Sequence, residues 1–381
     1  MAFDDKRLYF ICPYNSIYSR RELSVTPSSV TYSQYIIDAI HSLYVGHLTV
    51  IALAGGKNRS YGYRRVFVSD REDHIYLASI NSSLGKIAVR FNQFWLYLQL
   101  IIYTLFKTRK TDNILIYHDY GLSFIYKLMK FFSGAHFTYV TAEIFSAVYN
   151  RGDKKIEQEI KHLKGANSYV FINNLLPEKF NVKTYAVCYG NYKYARVEGE
   201  RFNDGLIHAV YAGKISSIIS DAFLAVECAS YCNENIHIHI LGYGNEDDIA
   251  LLKQRVFEIN KQRGFYVISY DGCLSGDEYE AFLSKCQVGL CPRVLTAELA
   301  QYCFPSKTMV YLTHGLIPIC PNIPVFNRCD FANSLVLVDN ISPESLAESL
   351  NRLNVAGFNP QTVVENLDTA FKKSLERILN N

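Results

Sequence analysis

The sequence predicts an α/β protein built of two doubly wound domains facing a central cleft. Three observations carry that expectation. Apolar runs of strand length alternate with amphipathic runs of helix length along the chain, the pattern of parallel sheets with crossover helices. At 381 residues the chain is long for one core, and its 49% hydrophobic content supports two. The alternation breaks down at Asn-Tyr-Lys-Tyr-Ala-Arg-Val-Glu-Gly-Glu-Arg-Phe-Asn-Asp, 191–204, which is polar and without period. The expected division is a first domain over 1–192, a linker over 193–205, a second domain over 206–358 and a closing helix over 359–381.

The charged start leads directly into Leu8-Tyr9-Phe10-Ile11-Cys12, a strand, with no signal-peptide pattern, so a cytoplasmic location is expected. Further strands are read near 48–54, 66–68, 75–78, 113–118, 136–141, 168–173 and 184–189, with helices near 30–44, 86–108, 121–132 and 153–164. Gly46 stands between a helix and a strand, where a helix stop is needed. In the second half, strands at 208–212, 236–241, 265–270, 288–291, 316–321 and 335–338 alternate with helices at 220–231, 246–260, 276–285 and 306–313. Helices near 342–353 and 360–380 close the chain. The run 91–106 is rich in Phe, Tyr and Leu but interrupted by Asn92, Gln93 and Gln99, too short to span a bilayer. Its flanks, Lys86, Arg90, Lys107, Arg109 and Lys110, suit an interfacial helix at a membrane's inner face; a buried crossover helix is the plain alternative.

Composition excludes several classes. A net charge of +3 is far from the concentrated positive face of a nucleic-acid binder, so no nucleic-acid partner is expected. Ten cysteines are scattered singly, without the paired spacing of a zinc site, and read as buried thiols with no metal. The 29 tyrosines and 23 phenylalanines suit carbohydrate stacking or, more plainly, an aromatic core.

The informative constellations sit at predicted strand ends. Tyr211-Ala212-Gly213-Lys214 ends a strand in a glycine and a cation; Gly213 admits close backbone approach and Lys214 offers charge to a phosphate, though a solvated turn lysine reads the same way. Leu241-Gly242-Tyr243-Gly244 is half of a dinucleotide fingerprint and lacks the third glycine, which argues against a dehydrogenase. Ser269-Tyr270-Asp271-Gly272 ends the next strand, with Tyr270 placed to stack and Asp271 to shape a turn. Arg293 offers a planar fork for phosphate, and Glu298 a carboxylate for sugar hydroxyls. Last comes Phe304-Pro305-Ser306-Lys307, opening a short helix that ends at Gly315 before the strand 316–321. Ser306 is expected as N-cap, and the helix start beside Lys307 as an anion seat.

With these motifs the second half resembles the nucleotide-sugar-binding domain of GT-B glycosyltransferases, two Rossmann-like domains around a cleft, in the Phe-Pro-Ser-Lys form seen in bacterial polysaccharide enzymes. The resemblance implies a nucleotide-sugar donor, with UDP or GDP favoured, no obligatory cofactor or metal, and a glycan or lipid-linked glycan acceptor of the capsule or O-antigen kind. It places Gly213, Lys214, Gly242, Tyr243, Tyr270, Asp271, Arg293, Pro305, Ser306 and Lys307 around the donor. The paired glutamates of many retaining members are absent, Tyr302 and Val310 standing there, so ribose recognition is unassigned. In the first half the resemblance is architectural. His118 and Asp119 end one strand and Glu143 follows another, the candidates for a base at the acceptor; Arg20, Arg21 and Lys57 lie in loops expected near it. A catalytically silent scaffold on the same fold, or a nucleotide-sugar epimerase, are the alternatives.

Overall fold

The computed structural model describes residues 6–118, 122–195, 201–218, 221–293 and 299–380. The chain divides into two compact units, Met1–Cys188 with Ala370–Asn381, and Tyr189–Thr369.

The first unit holds one eight-stranded sheet: β1 (Leu8–Cys12), β2 (Leu48–Ala52), β3 (Arg64–Ser69), β4 (Glu72–Tyr76), β5 (Asn113–Tyr117), β6 (His136–Thr141), β7 (Ser168–Phe171) and β8 (Tyr185–Val187), in the order β3-β4-β2-β1-β5-β6-β7-β8. Its helices are α1 (Pro27–Leu43), α2 (Lys86–Lys107), α3 (Leu122–Ser133), α4 (Phe145–Val148), α5 (Asp153–Leu163) and α6 (Leu176–Phe180). β1 and β2 are buried along their whole length, as befits central parallel strands covered on both faces. One expectation is corrected here. The alternation implied parallel strands throughout, but β3 runs antiparallel to β4, because two residues separate them and a parallel crossover needs a dozen or more.

The second unit carries β9 (Ile207–Lys214), β10 (Ile236–Tyr243), β11 (Ile268–Gly272), β12 (Val288–Leu290), β13 (Ile317–Pro321) and β14 (Val336–Val338), all parallel, in the order β11-β10-β9-β12-β13-β14. The helices are α7 (Asp221–Cys228), α8 (Glu246–Arg263), α9 (Gly276–Lys285), α10 (Lys307–Thr313), α11 (Pro324–Asn327), α12 (Pro343–Asn351) and α13 (Gln361–Asn380). α8 is punctuated at both ends: the Asn245 side chain accepts from Asp248 N, and Gly264 closes it in the left-handed region. The end of α13 belongs to the first unit, where Phe371 packs on Tyr35 and Asn113 donates to the Leu379 carbonyl at 2.8 Å.

Many of the tyrosines fill the cores. Tyr126 donates to the Leu163 and Lys164 carbonyls, Tyr189 to Asp330, and Tyr211 to the Lys214 carbonyl, so these three buried rings keep their hydroxyls satisfied. All ten cysteines are free thiols.

The strand orders locate the switch points of the two sheets. In a doubly wound sheet, adjacent crossovers leave a crevice at the carboxyl ends where the order reverses. That point lies between β1 and β5 in the first sheet and between β9 and β12 in the second.

Candidate functional site

At the reversal in the second sheet, β9 ends in Gly213 and Lys214, in register with Gly242 and Tyr243 of β10. The two strands come very close here. A Cβ on Gly242, whose φ is +155°, would collide with the Gly213 carbonyl oxygen, and a Cβ on Gly213 would collide with the Lys307 ammonium. Gly213, Gly242 and Tyr243, with Ala212, Leu241, Cys273, Leu274 and Tyr279, line a cavity of about 190 Å³. Gly242→Ala is expected to lose roughly 2 kcal/mol of stability and to close this cavity, checked by urea unfolding and nucleotide titration.

Lys307 opens α10 and lays its ammonium 4.1 Å from the centre of the Tyr211 ring. Its position is over-determined. Phe304 is anchored among Tyr189, Phe326 and Phe331, and Thr308 hydrogen-bonds the Cys291 and Cys320 sulfurs at 3.5 and 3.6 Å. Tyr311 fills the space over Gly289, which has no room for a Cβ, and accepts from Ala212 N at 3.0 Å. Burial lowers the Lys307 pKa, opposed by Cys291 and Asp221, while Arg293 lowers it further. Asp221, buried at the start of α7, is pushed up by burial and pulled down by Arg293 and Lys307. Lys307, Arg293 and Asp221 thus form one electrostatic group with a surplus of positive charge. Such a group suits an anion.

Lys214 and Arg293 are exposed at the same strand ends. Ser306 takes the N-cap place, but its φ of −59° and ψ of −22° are helical and its side chain makes no capping bond. Pro305 accepts from Thr308 N through its carbonyl. Tyr270 donates to the Gly242 carbonyl at 3.1 Å and carries the Lys253 ammonium 5.5 Å from its ring centre, so it buttresses the glycine turn. Tyr270 and Asp271 do not line the cavity. The register slips between Ile240 and Leu241, and the Asp271 carboxylate accepts from Ser269 at 2.8 Å and meets His239 Nδ1 at 3.1 Å. Glu298 lies outside the described residues.

Asp271 belongs to a histidine cluster on that sheet. His208 Nδ1 and His239 Nε2 are 2.8 Å apart, His208 Nε2 lies 2.9 Å from Asp204, His237 Nε2 meets Ser269 Oγ at 3.0 Å, and Phe202 stacks on His208. The end of the expected linker, at Phe202 and Asp204, is thereby packed. Burial lowers the pKa of both His208 and His237, with His239 lowering each further and Asp204 raising His208. Lowered folded-state values mean the unfolded chain binds more protons once pH falls below the ordinary 6.5. Stability is therefore expected to be complete above that pH and to fall below it, checked by urea midpoints between neutral and mildly acidic pH.

In the first unit, His118 follows β5 at the reversal and is buried. Its Nε2 lies 2.7 Å from Glu159 Oε1, and its Nδ1 meets no hydrogen-bond partner among the described residues. Glu159, on the buried face of α5, also accepts from Phe145 N at 2.9 Å and Ser146 N at 2.7 Å. Burial raises its pKa, but the bonds from His118 and Ser146 outweigh that and hold it below the usual carboxylate value. Glu143 is half-buried close to Tyr117, whose pKa is raised by burial and then by Glu143. Asp119 lies outside the described residues. Arg21 donates to the Gly62 carbonyl and rests on the Tyr61 and Tyr76 rings, while Arg20 and Lys57 are exposed. A second cavity, about 440 Å³ and lined by Arg7, His47, Arg65, Lys107 and Tyr63 among others, lies toward the opposite, amino-terminal strand ends.

Sequence reasoning missed Glu159, Tyr211 and Asp221. Glu159 was legible: α5 carries its apolar stripe on Ile156, Ile160 and Leu163, and a glutamate inside such a stripe needs partners. Tyr211 is indistinguishable from an ordinary core tyrosine, and Asp221 from a helix-start acid.

Two doubly wound units in series give the chain the GT-B fold. No protein-family model matches the chain, and no curated protein matches it in sequence. Solved structures do match in shape. An E. coli trehalose-6-phosphate structure bound with UDP-2-fluoro glucose aligns over 99% of both chains with TM-score 0.67 and 11% identity. The α,α-trehalose-6-phosphate synthase of Burkholderia multivorans aligns over 98% of this chain and 95% of that one, at 0.65 and 11%. Anabaena HepE in complex with UDP and glucose aligns over 98% and 99%, at 0.61 and 8%.

Proposed function

We propose that the chain is a glycosyltransferase moving a sugar from a nucleotide-sugar donor, with UDP favoured, to a glycan or lipid-linked glycan in bacterial surface polysaccharide synthesis. The carrying observation is Lys307, seated on Tyr211 against Gly213, with Arg293 and the Gly213/Gly242 cavity at one sheet reversal. UDP or a UDP-sugar is bound in the E. coli and HepE neighbours, and another neighbour, a trehalose-6-phosphate synthase, transfers with retention. The second unit holds the donor and the first the acceptor. An acceptor hydroxyl oxygen bonds the anomeric carbon as the bond from that carbon to the donor phosphate oxygen breaks. The nucleoside diphosphate departs, its charge met by Lys307, Arg293, Lys214 and the α10 start at Ser306. The acceptor proton passes to a base, with His118, Asp119 and Glu143 as candidates, or to the departing phosphate. Tyr243 borders the nucleotide, Glu298 is the candidate carboxylate for the sugar hydroxyls, and contact with the inner face of the plasma membrane belongs to the same reading.

Calorimetric titration with UDP, GDP, CMP and dTDP, with and without magnesium, tests the donor assignment. Selective binding independent of metal is expected. Binding of none would favour a silent scaffold, and conversion of a nucleotide sugar without acceptor an epimerase.

A further inference from the structure

α2 presents its surfaces in an unusual sense. Its amides point inward: Asn92 Oδ1 accepts from Ile80 N at 2.8 Å, and Gln99 accepts from Ala78 N and donates to Ala78 O at 2.9 and 2.8 Å. Its outward stripe is apolar, Ile87, Phe91, Phe94, Ile102 and Leu105 recurring at helical spacing, with Phe106 at 80% exposure beside them. α3 packs against α2 and adds Leu128, Phe131 and Phe132, Phe131 being 81% exposed. Seven residues on α2 and three on α3 make ten of the 24 exposed large hydrophobic side chains among the described residues. That concentration on two neighbouring helices exceeds the single scattered residues of an ordinary surface.

The charge around the stripe has one sign. Lys86, Arg90, Lys107, Arg109, Lys110 and Lys127 are exposed on or beside the two helices. The sequence holds no Asp or Glu from 74 to 111 or from 120 to 142. A second copy of the chain, docked isologously on this face, would set these cations against themselves. An apolar layer beneath a negative surface satisfies both features, and no helix among the described residues is long and apolar enough to cross a membrane.

We infer that the α2–α3 face docks flat on an anionic lipid bilayer, the phenylalanines entering the headgroup boundary and the cations meeting lipid phosphates. The inference rests on the proposed function in that it gives a lipid-linked acceptor its surface. Trp95, the one tryptophan of the chain, sits on α2 and reports docking without a label. With vesicles of phosphatidylcholine and phosphatidylglycerol, the protein is expected to co-sediment and the Trp95 emission to shift to the blue. Vesicles of phosphatidylcholine alone should bind at least about tenfold more weakly. The double change Phe94→Ser with Phe131→Ser should also weaken binding by about tenfold or more. Because both side chains are already in solvent, circular dichroism and UDP affinity should be unchanged; Arg90→Gln with Lys110→Gln is the second, charge-only variant. No binding to anionic vesicles, or equal binding by wild type and both variants, overturns the inference. So does a dimer, seen by ultracentrifugation, that the phenylalanine changes dissociate in a protein that ignores lipid. The UDP titration in the same samples separates the readings: UDP bound without vesicle binding removes docking alone, and vesicle binding without any nucleotide removes the donor site alone.

Discussion

Lys307→Ala is expected to weaken nucleotide-diphosphate binding roughly 30- to 100-fold, the loss of one charge-assisted contact of about 2–3 kcal/mol. The empty protein should fold as stably as before, or more so. Its ammonium is held against Tyr211 and Gly213 at the expense of its hydration, which is why its pKa is lowered. Removing a partly desolvated charge relieves that cost in the free protein, and only the anion that was to meet it suffers. Lys307→Arg should not restore full affinity, because a planar guanidinium does not fit the close approach to Gly213 that the slender ammonium makes. Calorimetric titration beside thermal unfolding reads both effects. A variant that binds UDP as well as the wild type would remove Lys307 from the donor site, and one that unfolds early would make it a structural cation.

Glu159→Ala is expected to destabilise the first unit by about 3–4 kcal/mol, the cost of leaving buried polar partners unsatisfied. Three groups lose their acceptor together: His118 Nε2 and the amides of Phe145 and Ser146. Glu159→Gln keeps the volume and one acceptor oxygen, so a smaller loss of about 1–2 kcal/mol should follow. Urea unfolding monitored by circular dichroism measures both. If His118 serves the acceptor through Nδ1, the ring nitrogen turned away from Glu159, Glu159→Gln should also shift the pH profile of transfer, since the carboxylate that orients the ring through Nε2 is lost. An unchanged profile with lowered stability would leave Glu159 a structural residue.

Much of the architecture was legible because its elements are periodic. The strands at 136–141 and 317–321 and the helix at 276–285 lie within a residue or so of where apolar runs and glycine caps place them. The helix starting at Lys307 and stopping before Gly315, whose φ is +78°, was readable from the Pro-Ser pair and the glycine. The antiparallel β3 was not, since a strand's direction is set by the length of its connection and by its neighbour, not by its own composition. Asp271 looked like a rim residue, but it stands two residues beyond Ser269, the register partner of His239, on the same face, and its carboxylate meets His239 Nδ1.

The sequence by itself determined that strands and helices alternate in two halves, and that glycines and cations cluster at the ends of the strands in the second. These are local properties, carried by spacing along one chain. Only the tertiary structure decided which of them meet: that Lys307 crosses from α10 to lie on Tyr211 of β9, that Glu159 reaches His118 from a helix 41 residues on, and that α2 turns its amides inward and its phenylalanines out. Strand order and helix rotation settle those meetings, and both follow from how all the buried faces pack at once.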